Sequence, residues 1–512
     1  MLTRLTRSGA LLFCMLSALL FVPTAPLRAQ ALKKSAFRAW ERSIVTIEVA
    51  RRDYDYYQPW VKRTQRLQKT GLVANAREIL TTADGMFDCT LVRVQKNGRG
   101  QWWTGEVTWI DYSANLALVT VADAGFWSEL KPASFGASLP SSGALEILRW
   151  RDGNLENRSA EFTRFTVVEG QLSQINQVVL EADSEIQNVG WGEPIIANSH
   201  VVGIVRAREN RTCIATPASV VQAILEARRK GQFHGLGHFP FVWQPADNPA
   251  VLAYLKLPGP PRGVVIIDVP PRQDGCEAVL KPRDILLSID GFNLDVQGDY
   301  QDPEFGTLIL ESLSTRQKWA GDTMTMQLWR EGKPMTVNYH LPKFEYTNSL
   351  VPAAAYDQEP EYLIAGGLVF QPLTGPYLKS WGAEWRSSAP FRLRHFDQDP
   401  ASQDRPALVL LSQVLPDAYN IGYQELRSLV VDRVNGQRIS RLSELRDALR
   451  KPLNGFHIID FLPSDSLHRL VLGAGEPERE ATQRVLKRYG IAEESCIVAN
   501  VASKPEPTPS KK

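Results

Sequence analysis

Residues 182–196 read ADSEIQNVGWGEPII. The stretch has the outline of a loop that presents a catalytic nucleophile. Asp183 and Glu185 lead in, Gly190 and Gly192 supply a glycine-rich turn, and Pro194 opens an apolar strand. At the centre, where a nucleophile would stand, is Trp191. Such a loop has either lost its chemistry or never had any, and the residues around it bear on the choice.

Upstream and downstream the chain alternates short strand-like runs with turns. SIVTIEVA (43–50), KTGLVAN (69–75), EILTTA (78–83), LVRVQ (91–95), GEVTWID (105–111), NLALVTV (115–121), ALEILRW (144–150), QVVLEAD (177–183), EPIIAN (193–198) and VVGIVRA (201–207) are rich in β-branched or aromatic residues. Many short strands at this spacing predict an all-β barrel or sandwich. TPASVVQAILEARRKG (216–231) then reads as a helix, with Thr216 as N-cap, Pro217 in the first turn and Gly231 at its end. That helix closes the first unit.

A second unit spans 233–345. It holds GLGHFPFVWQ, GVVIIDVPP (263–271), VLKPRDILLSIDG (279–291) and the hairpin TMTMQLWREGKPMTVNYHL (323–341), which turns at REGKP. A third unit spans 346–500, with YLIAGGLVF (362–370), PALVLLSQVLP (406–416), LVVDRVNGQRI (429–439) and the amphipathic helix SRLSELRDALRK (440–451). LVVDRVNG echoes ILLSIDG, a weak internal repeat. The Pro- and Lys-rich tail, 501–512, has no apolar anchor and reads as disordered.

Of the 512 residues, 58 are basic and 56 acidic, a net charge of +2. This generates no strong field and does not point to nucleic acid. Arg4 and Arg7 precede the apolar run ALLFCMLSALLFV, residues 10–22. A bilayer span needs about 20 apolar residues, so the run is too short. With the small-x-small pair Ala29 and Ala31 behind it, it reads as a signal peptide over 1–31, cleaved near Ala29 or Ala31. The mature chain is expected to be secreted or periplasmic, without a transmembrane segment. Cys14 leaves with the signal, and Cys89, Cys213, Cys276 and Cys496 lie far apart without metal-ligand spacing. They read as isolated thiols, and no metal or cofactor is expected.

Chain order, turn motifs and paired C-terminal units resemble the HtrA/Deg family of secreted or organellar serine proteases. LKPRDILLSIDG resembles the PDZ signature. DAGFWSELKPASFG (123–136), AGGLVFQPL (365–373) and LLSQVLPDAYNIGYQEL (410–426) are similar to the plant-type Deg branch with its atypical second PDZ unit. The resemblance covers nearly the whole mature chain. It implies a mainly β fold, a trypsin-like double β-barrel over 32–231 followed by two PDZ-like α/β units.

The family's chemistry uses a serine nucleophile, a histidine base and an aspartate that orients the histidine. By resemblance, ILTTADGM puts Asp84 at the histidine position, NLALV puts Asn115 at the aspartate position, and Trp191 stands at the serine. An aspartate is no imidazole, an asparagine carries no charge, and an indole has no nucleophilic oxygen. Residues 32–230 contain one histidine, His200, so no Ser–His dyad can be assembled elsewhere in the barrels unless His200 reaches the cleft. Cys89 and Cys213 are the other conceivable nucleophiles, each wanting a base. Val189 and Glu193 replace two glycines of the oxyanion loop; Glu193 either adds a charge there or points to solvent. Asp84 with Glu193 could also be imagined as a hydrolytic carboxylate pair, without any supporting sugar-binding feature.

For recognition, PDZ-type units add a peptide strand to a sheet edge and hold its carboxylate in a loop. The resemblance implies that loop at Gly235, Leu236, Gly237, His238 and Phe239, with Arg228, Arg229 and Lys230 adding charge or merely completing a solvated helix end. Gly366, Gly367, Leu368, Val369 and Phe370 correspond in the second unit, where a structural role is expected. Tyr54, Tyr56, Tyr57 and Trp60 offer a contact for oligomers, a trimer by resemblance, or pack on their own barrel. The sequence thus predicts a pseudoprotease that binds unfolded proteins or C-terminal peptides, as chaperone, scaffold or regulator of active HtrA/Deg relatives. The alternatives are a hydrolase using unrecognised residues and a purely structural envelope component.

Overall fold

The computed structural model describes residues 39–136, 139, 144–271, 276, 278–345, 349–463 and 466–498. The expected signal peptide and tail lie outside them. Strands β1 (Ile44–Tyr54), β2 (Lys62–Val73), β3 (Ile79–Thr81), β4 (Cys89–Lys96), β5 (Trp102–Asp111) and β6 (Leu116–Val121) close into a barrel in the order β1-β2-β3-β6-β5-β4. Strands β7 (Leu145–Arg151), β8 (Asn154–Glu169), β9 (Asn176–Ser184), β10 (Pro194–Ala197), β11 (His200–Glu209) and β12 (Thr212–Pro217) close a second, β10-β11-β12-β9-β8-β7.

The strands look apolar on both parities because both of their faces are buried. Val45, Ile47 and Val49 fill the first barrel with Val92, Val94 and Val119. Side chains of opposite parity, Ile44, Leu72, Leu80 and Leu118, meet Leu148, Ile196 and Ile204 of the second barrel and Val221 and Ile224 of helix α1 (Ala218–Arg229). Period-two alternation therefore serves two cores at once. Each fully buried aliphatic contributes about 1.5–3 kcal/mol, so burial fixes the barrels to each other as well as closing each one.

Three local expectations are corrected. Thr216 is not an N-cap: it pairs with Ile204 within β12, and Pro217 takes the cap position without a side-chain bond. Ladder pairing outweighed capping preference. Strand β8 was missed because NLENRSAEFTRFTVVE is charge-rich, and its polar face is largely solvated. The run 362–370 is two strands, β21 and β22 below, broken at Gly366 and Gly367, whose φ values of 56° and 88° make a tight turn.

The second unit is a sheet of β13 (Val242–Pro245), β14 (Val264–Asp268), β15 (Ile285–Ile289) with β16 (Phe292–Asn293), β19 (Thr323–Arg330) and β20 (Lys333–His340), beside the hairpin β17 (Asp299–Asp302) and β18 (Gly306–Ile309). Asp290-Gly291 and Glu331-Gly332 both take positive φ at both turn positions, as two-residue hairpins require. The unit packs on the second barrel: the Phe165 and Phe305 rings are 4.9 Å apart, and Val178 joins the core of Phe241 and Leu310.

The third unit contains β21 (Tyr362–Ala365), β22 (Leu368–Pro372), β23 (Val409–Val414), β24 (Leu429–Val434) with β25 (Gln437–Arg438), β26 (Phe456–Phe461), β27 (Arg469–Gly473) and β28 (Ser495–Cys496). They form one sheet, ordered β27-β26-β24-β23-β22-β21-β28. Helix α2 (Leu442–Leu449) buries Leu442, Leu445 and Ala448, and α3 (Glu476–Tyr489), a charged helix the sequence reading passed over, buries only Ala481, Thr482 and Val485. This unit docks on the first barrel. Trp60 meets Tyr362 at 5.9 Å and Tyr57 meets Trp381 at 5.5 Å, both edge-on. Gln371 Nε2 donates to the Tyr56 carbonyl at 3.1 Å. Tyr56, Tyr57 and Trp60, which follow β1, are thus engaged by the chain's own third unit.

Candidate functional site

Asp84, Asn115 and Trp191 converge between the barrels. Asp84 follows β3, and its backbone N–H donates to Asn115 Oδ1 at 2.8 Å. Asn115 immediately precedes β6 with φ 52°, a conformation asparagine tolerates, and its buried Nδ2 has no hydrogen-bond partner. The Trp191 carbonyl accepts from Thr70 N–H at 3.0 Å, which ties the loop to β2 of the other barrel. The indole is half-buried and lies over Gly85, where a Cβ would come within 3.1 Å of Trp191 Cζ3. The indole therefore stands beside the Asp84–Gly85 turn with its ring half covered.

Lys69, on β2, was not foreseen. It is 3% exposed. Its ammonium donates to Thr82 Oγ1 at 2.8 Å and to the Asp84 carbonyl, and stands 5.0 Å from the Trp191 ring centre. Burial pulls its pKa down to about 8, opposed by the carboxylates of Asp84 and Glu193. A lysine on a strand ordinarily reads as solvent-facing, and no local signal marked this one.

Glu193 does not point to solvent. It is 3% exposed, and its Oε2 accepts the N–H of Gly190 and of Trp191, each at 2.9 Å. Burial raises its pKa, while those two N–H groups, its own backbone and Arg149 work against the rise. Arg149 also donates to the Asn188 carbonyl at 2.7 Å, bracing the loop from below. The two loop glycines are sterically required. Gly192 has φ 100°, and a Cβ there would lie 2.6 Å from the Thr70 carbonyl; Gly190 has φ 119° and faces the Ala207 backbone. The loop therefore keeps its tight form around an internal carboxylate that accepts two of the turn's own N–H groups.

Neither cysteine of the barrels has a lowered thiol pKa. The Cys213 thiol is buried and pushed up to about 11, and burial also raises Cys89. A reactive thiol needs the opposite shift. All four cysteines in the described residues are free. His200 is the exposed first residue of β11, paired with Ala197 at the far end of β10, its Nδ1 2.8 Å from the Asn198 carbonyl. The Thr82 hydroxyl shares a hydrogen bond with Lys69, but Thr82 has no exposed surface, so no acyl group can reach it. Asp84 Oδ2 accepts from Gln171 Nε2 at 3.0 Å, whereas Glu193 is sealed inside the loop; the two do not share a water-accessible site. Among the described residues no cluster of three metal-ligating side chains occurs, and no helix is long and apolar enough to cross a membrane.

The recognition residues divide. Gly235, Leu236, Gly237, His238 and Phe239 lead into β13. Gly237 bridges Lys343, where a Cβ would strike the Leu341 side chain, and His238 N–H donates to the Pro342 carbonyl at 3.3 Å. Leu236 is buried in the core shared with α1. Downstream, β13 is an edge strand bonded only to β14, and Trp243 Nε1 donates to Glu311 at 2.9 Å. Of the cations nearby, Arg228 pairs with Glu78, and Arg229 and Lys230 pair with Glu226. In the third unit, β22 has β21 on one side and β23 on the other. Both edges of β22 are therefore occupied by the chain's own strands.

A family model described as a PDZ domain matches residues 351–496. Among curated proteins of Arabidopsis thaliana, the putative protease Do-like 13 is 25% identical over 416 residues, 80% of this chain and 80% of its own. The mitochondrial putative protease Do-like 3 is 25% identical over 397 residues, 76% of this chain and 68% of its own. The chloroplastic protease Do-like 2 is 24% identical over 457 residues, 86% and 72%. Among solved structures, the HtrA-type protease AlgW with decapeptide covers 61% of this chain and 98% of its own, at 13% identity and a TM-score of 0.46. The Rv3671c protease from M. tuberculosis, active form, covers 42% and 93%, at 19% identity and a TM-score of 0.32.

Proposed function

The chain belongs to the HtrA/Deg family of trypsin-like proteins with PDZ domains, and from that premise we propose that it is a non-hydrolytic member that works by binding. The observation that carries this is the Glu193 carboxylate held by the N–H groups of Gly190 and Trp191. A loop whose donors already hold an internal anion stabilises no developing oxyanion, and Trp191 supplies no nucleophile. Recognition falls to the first PDZ unit, whose edge strand β13 has a free side for an added peptide strand. Unfolded proteins and C-terminal peptides are the ligands of that chemistry, and active relatives the partners such a scaffold would regulate. The apolar run 10–22 supports work outside the cytoplasm.

The test is incubation of the purified protein with an unfolded substrate such as casein, with peptide-array binding in parallel. No cleavage together with selective retention of extended peptides is expected. Cleavage that disappears on replacing Cys89, Cys213 or His200 would overturn the proposal. Absence of any peptide preference would favour a purely structural component.

A further inference from the structure

The third unit meets the first barrel around a cavity of ≈ 560 Å³. Ligand sites commonly enclose about 300–1,000 Å³. The walls come from the end of β1 and the turn after it, from the turn that follows β3, and from two stretches of the third unit, Ala353–Tyr356 and the end of the short helix Gly375–Lys379. Nothing from the 189–193 loop or from β11 lines it. The chain itself holds these walls in place. Tyr356 stacks on Tyr112 at 4.1 Å and donates its hydroxyl to the Leu172 carbonyl at 2.7 Å. Glu359 pairs with Arg52 and, at 2.6 Å, with Lys62.

Two sets of polar groups on the walls are unspent. The first is backbone. The N–H and C=O groups of Ala354 and Ala355 have no hydrogen-bond partner among the described residues, and Ala354 is only 8% exposed. Backbone groups in so covered a place are nearly always paired. The second is cationic. Lys379 enters no ion pair among the described residues. Arg51 lies 4.3 Å from the Phe87 ring centre and its Nε donates to Gln65 at 2.9 Å, while its sheltered Nη1 has no partner. The other lining charges are largely engaged. Arg52 is spent on Glu359, Arg63 lies 3.6 Å from Asp55, and Asp84 accepts from Gln171 at 3.0 Å. Asp53 is exposed, and Asp88 lies in the field of Arg51 and Arg52.

We propose that this cavity holds an acidic segment of another protein in extended form, its backbone paired with Ala354 and Ala355 and its carboxylates set against Lys379 and Arg51. A peptide backbone offers both the donors and the acceptors that two unpaired peptide units call for, which a simple anion does not. Carboxylates add charge-assisted hydrogen bonds to the two cations. Side chains of the other parity fall against Phe87 and Tyr356, whose rings are 5.5 Å apart. The site is separate from the β13 edge, and its occupant bridges the first barrel and the third unit.

Fluorescence polarisation of the full chain with a labelled peptide of alternating Glu and Val tests this. The peptide is amidated at its C-terminus, which removes the carboxylate that a PDZ loop would hold and makes the outcome independent of β13. It is expected to bind at least about tenfold more tightly than the same peptide with Lys in place of Glu, since a charge-assisted hydrogen bond is worth that much. Lys379→Glu, at an exposed position, and Arg51→Met should each weaken it by about tenfold. N-methylation of the peptide backbone, which leaves the protein untouched, should weaken it as much, and N-acetylglutamate should not compete. Equal binding of the Glu and Lys peptides, or no binding of either, overturns the proposal. So does unchanged affinity in Lys379→Glu, a variant that keeps the fold readable if Arg51→Met does not fold. Full competition by N-acetylglutamate, or full retention of the N-methylated peptide, refutes the backbone pairing and with it the extended segment.

Discussion

Replacing Glu193 measures how firmly the internal anion holds the loop. Glu193→Ala leaves the N–H groups of Gly190 and Trp191 buried without an acceptor. An unsatisfied buried donor costs about 1–3 kcal/mol, and the lost side-chain methylene adds about 0.8 kcal/mol. Relief of the desolvated carboxylate offsets part of this, leaving an expected net loss of about 3 kcal/mol. In a body of this size 1 kcal/mol moves Tm by about 2–4 °C, so the drop is about 6–12 °C. Glu193→Gln keeps one oxygen for both donors and sheds the charge, and should stay within about 1 kcal/mol of wild type. Its pH dependence discriminates further. Burial raises the Glu193 pKa, so its contribution is fully present below the ordinary glutamate range and declines as pH rises through the raised value. Wild type should therefore lose ground to Glu193→Gln between acidic and mildly alkaline pH. Calorimetry and urea titration across that range supply the readout. An Ala variant as stable as wild type, or a Gln variant as damaged as the Ala, would refute the account of a resident anion.

Three further outcomes are expected. Grafting Asp84→His, Asn115→Asp and Trp191→Ser together should leave the protein unreactive to a fluorophosphonate while Glu193 remains, and labelling should emerge only when Glu193→Gly is added; labelling of the triple variant alone would show that the anion does not matter. Gly367→Ala sets a Cβ 2.5 Å from the Leu415 carbonyl at φ 88°, whereas Gly436→Ala meets nothing within 4 Å; the first should cost at least about 2 kcal/mol and the second about 1 kcal/mol in urea denaturation. Lys69 has its pKa lowered by burial to about 8, so folding is penalised below that value and the penalty is relieved as pH climbs toward the ordinary lysine range; wild type should gain stability over Lys69→Met across that window, and parallel pH curves for the two would count against the assignment.

Asp84, Asn115 and Trp191 were singled out only through the resemblance of their surrounding motifs to the family's, and in the fold the three lie near one another between the barrels. The barrels were legible in the residues themselves: both parities of β1 are apolar because both are buried. Strand β8 was not, since its solvated charges carry no periodic signal. Lys69 was not, since its burial depends on a β2–β3 contact and on a loop from the other barrel, neither of which leaves a trace in the residues around it. Glu193 lay between two readings, and only the direction of its side chain, into the loop's own N–H groups, decides them. The docking of Tyr57 and Trp60 on Trp381 and Tyr362 joins residues some 300 positions apart, and sequence alone gives exposed-looking aromatics no address.

The same carboxylate explains why so protease-like a loop persists around a tryptophan. Convergent N–H groups in a glycine turn form an anion site by geometry alone. In an active enzyme that site is filled transiently, by water or by the reacting carbonyl. Left empty in a half-covered cleft, it would be a set of unsatisfied donors and a reason for the turn to relax. Glu193 supplies the anion from two residues away, Lys69 and Arg149 lie near enough to favour its charge, and Gly190 and Gly192 keep the φ values that make the donors converge. The loop can then hold its form with no substrate at all. Retained shape at this site is therefore what a stable non-hydrolytic barrel would show, and it is no sign of retained catalysis.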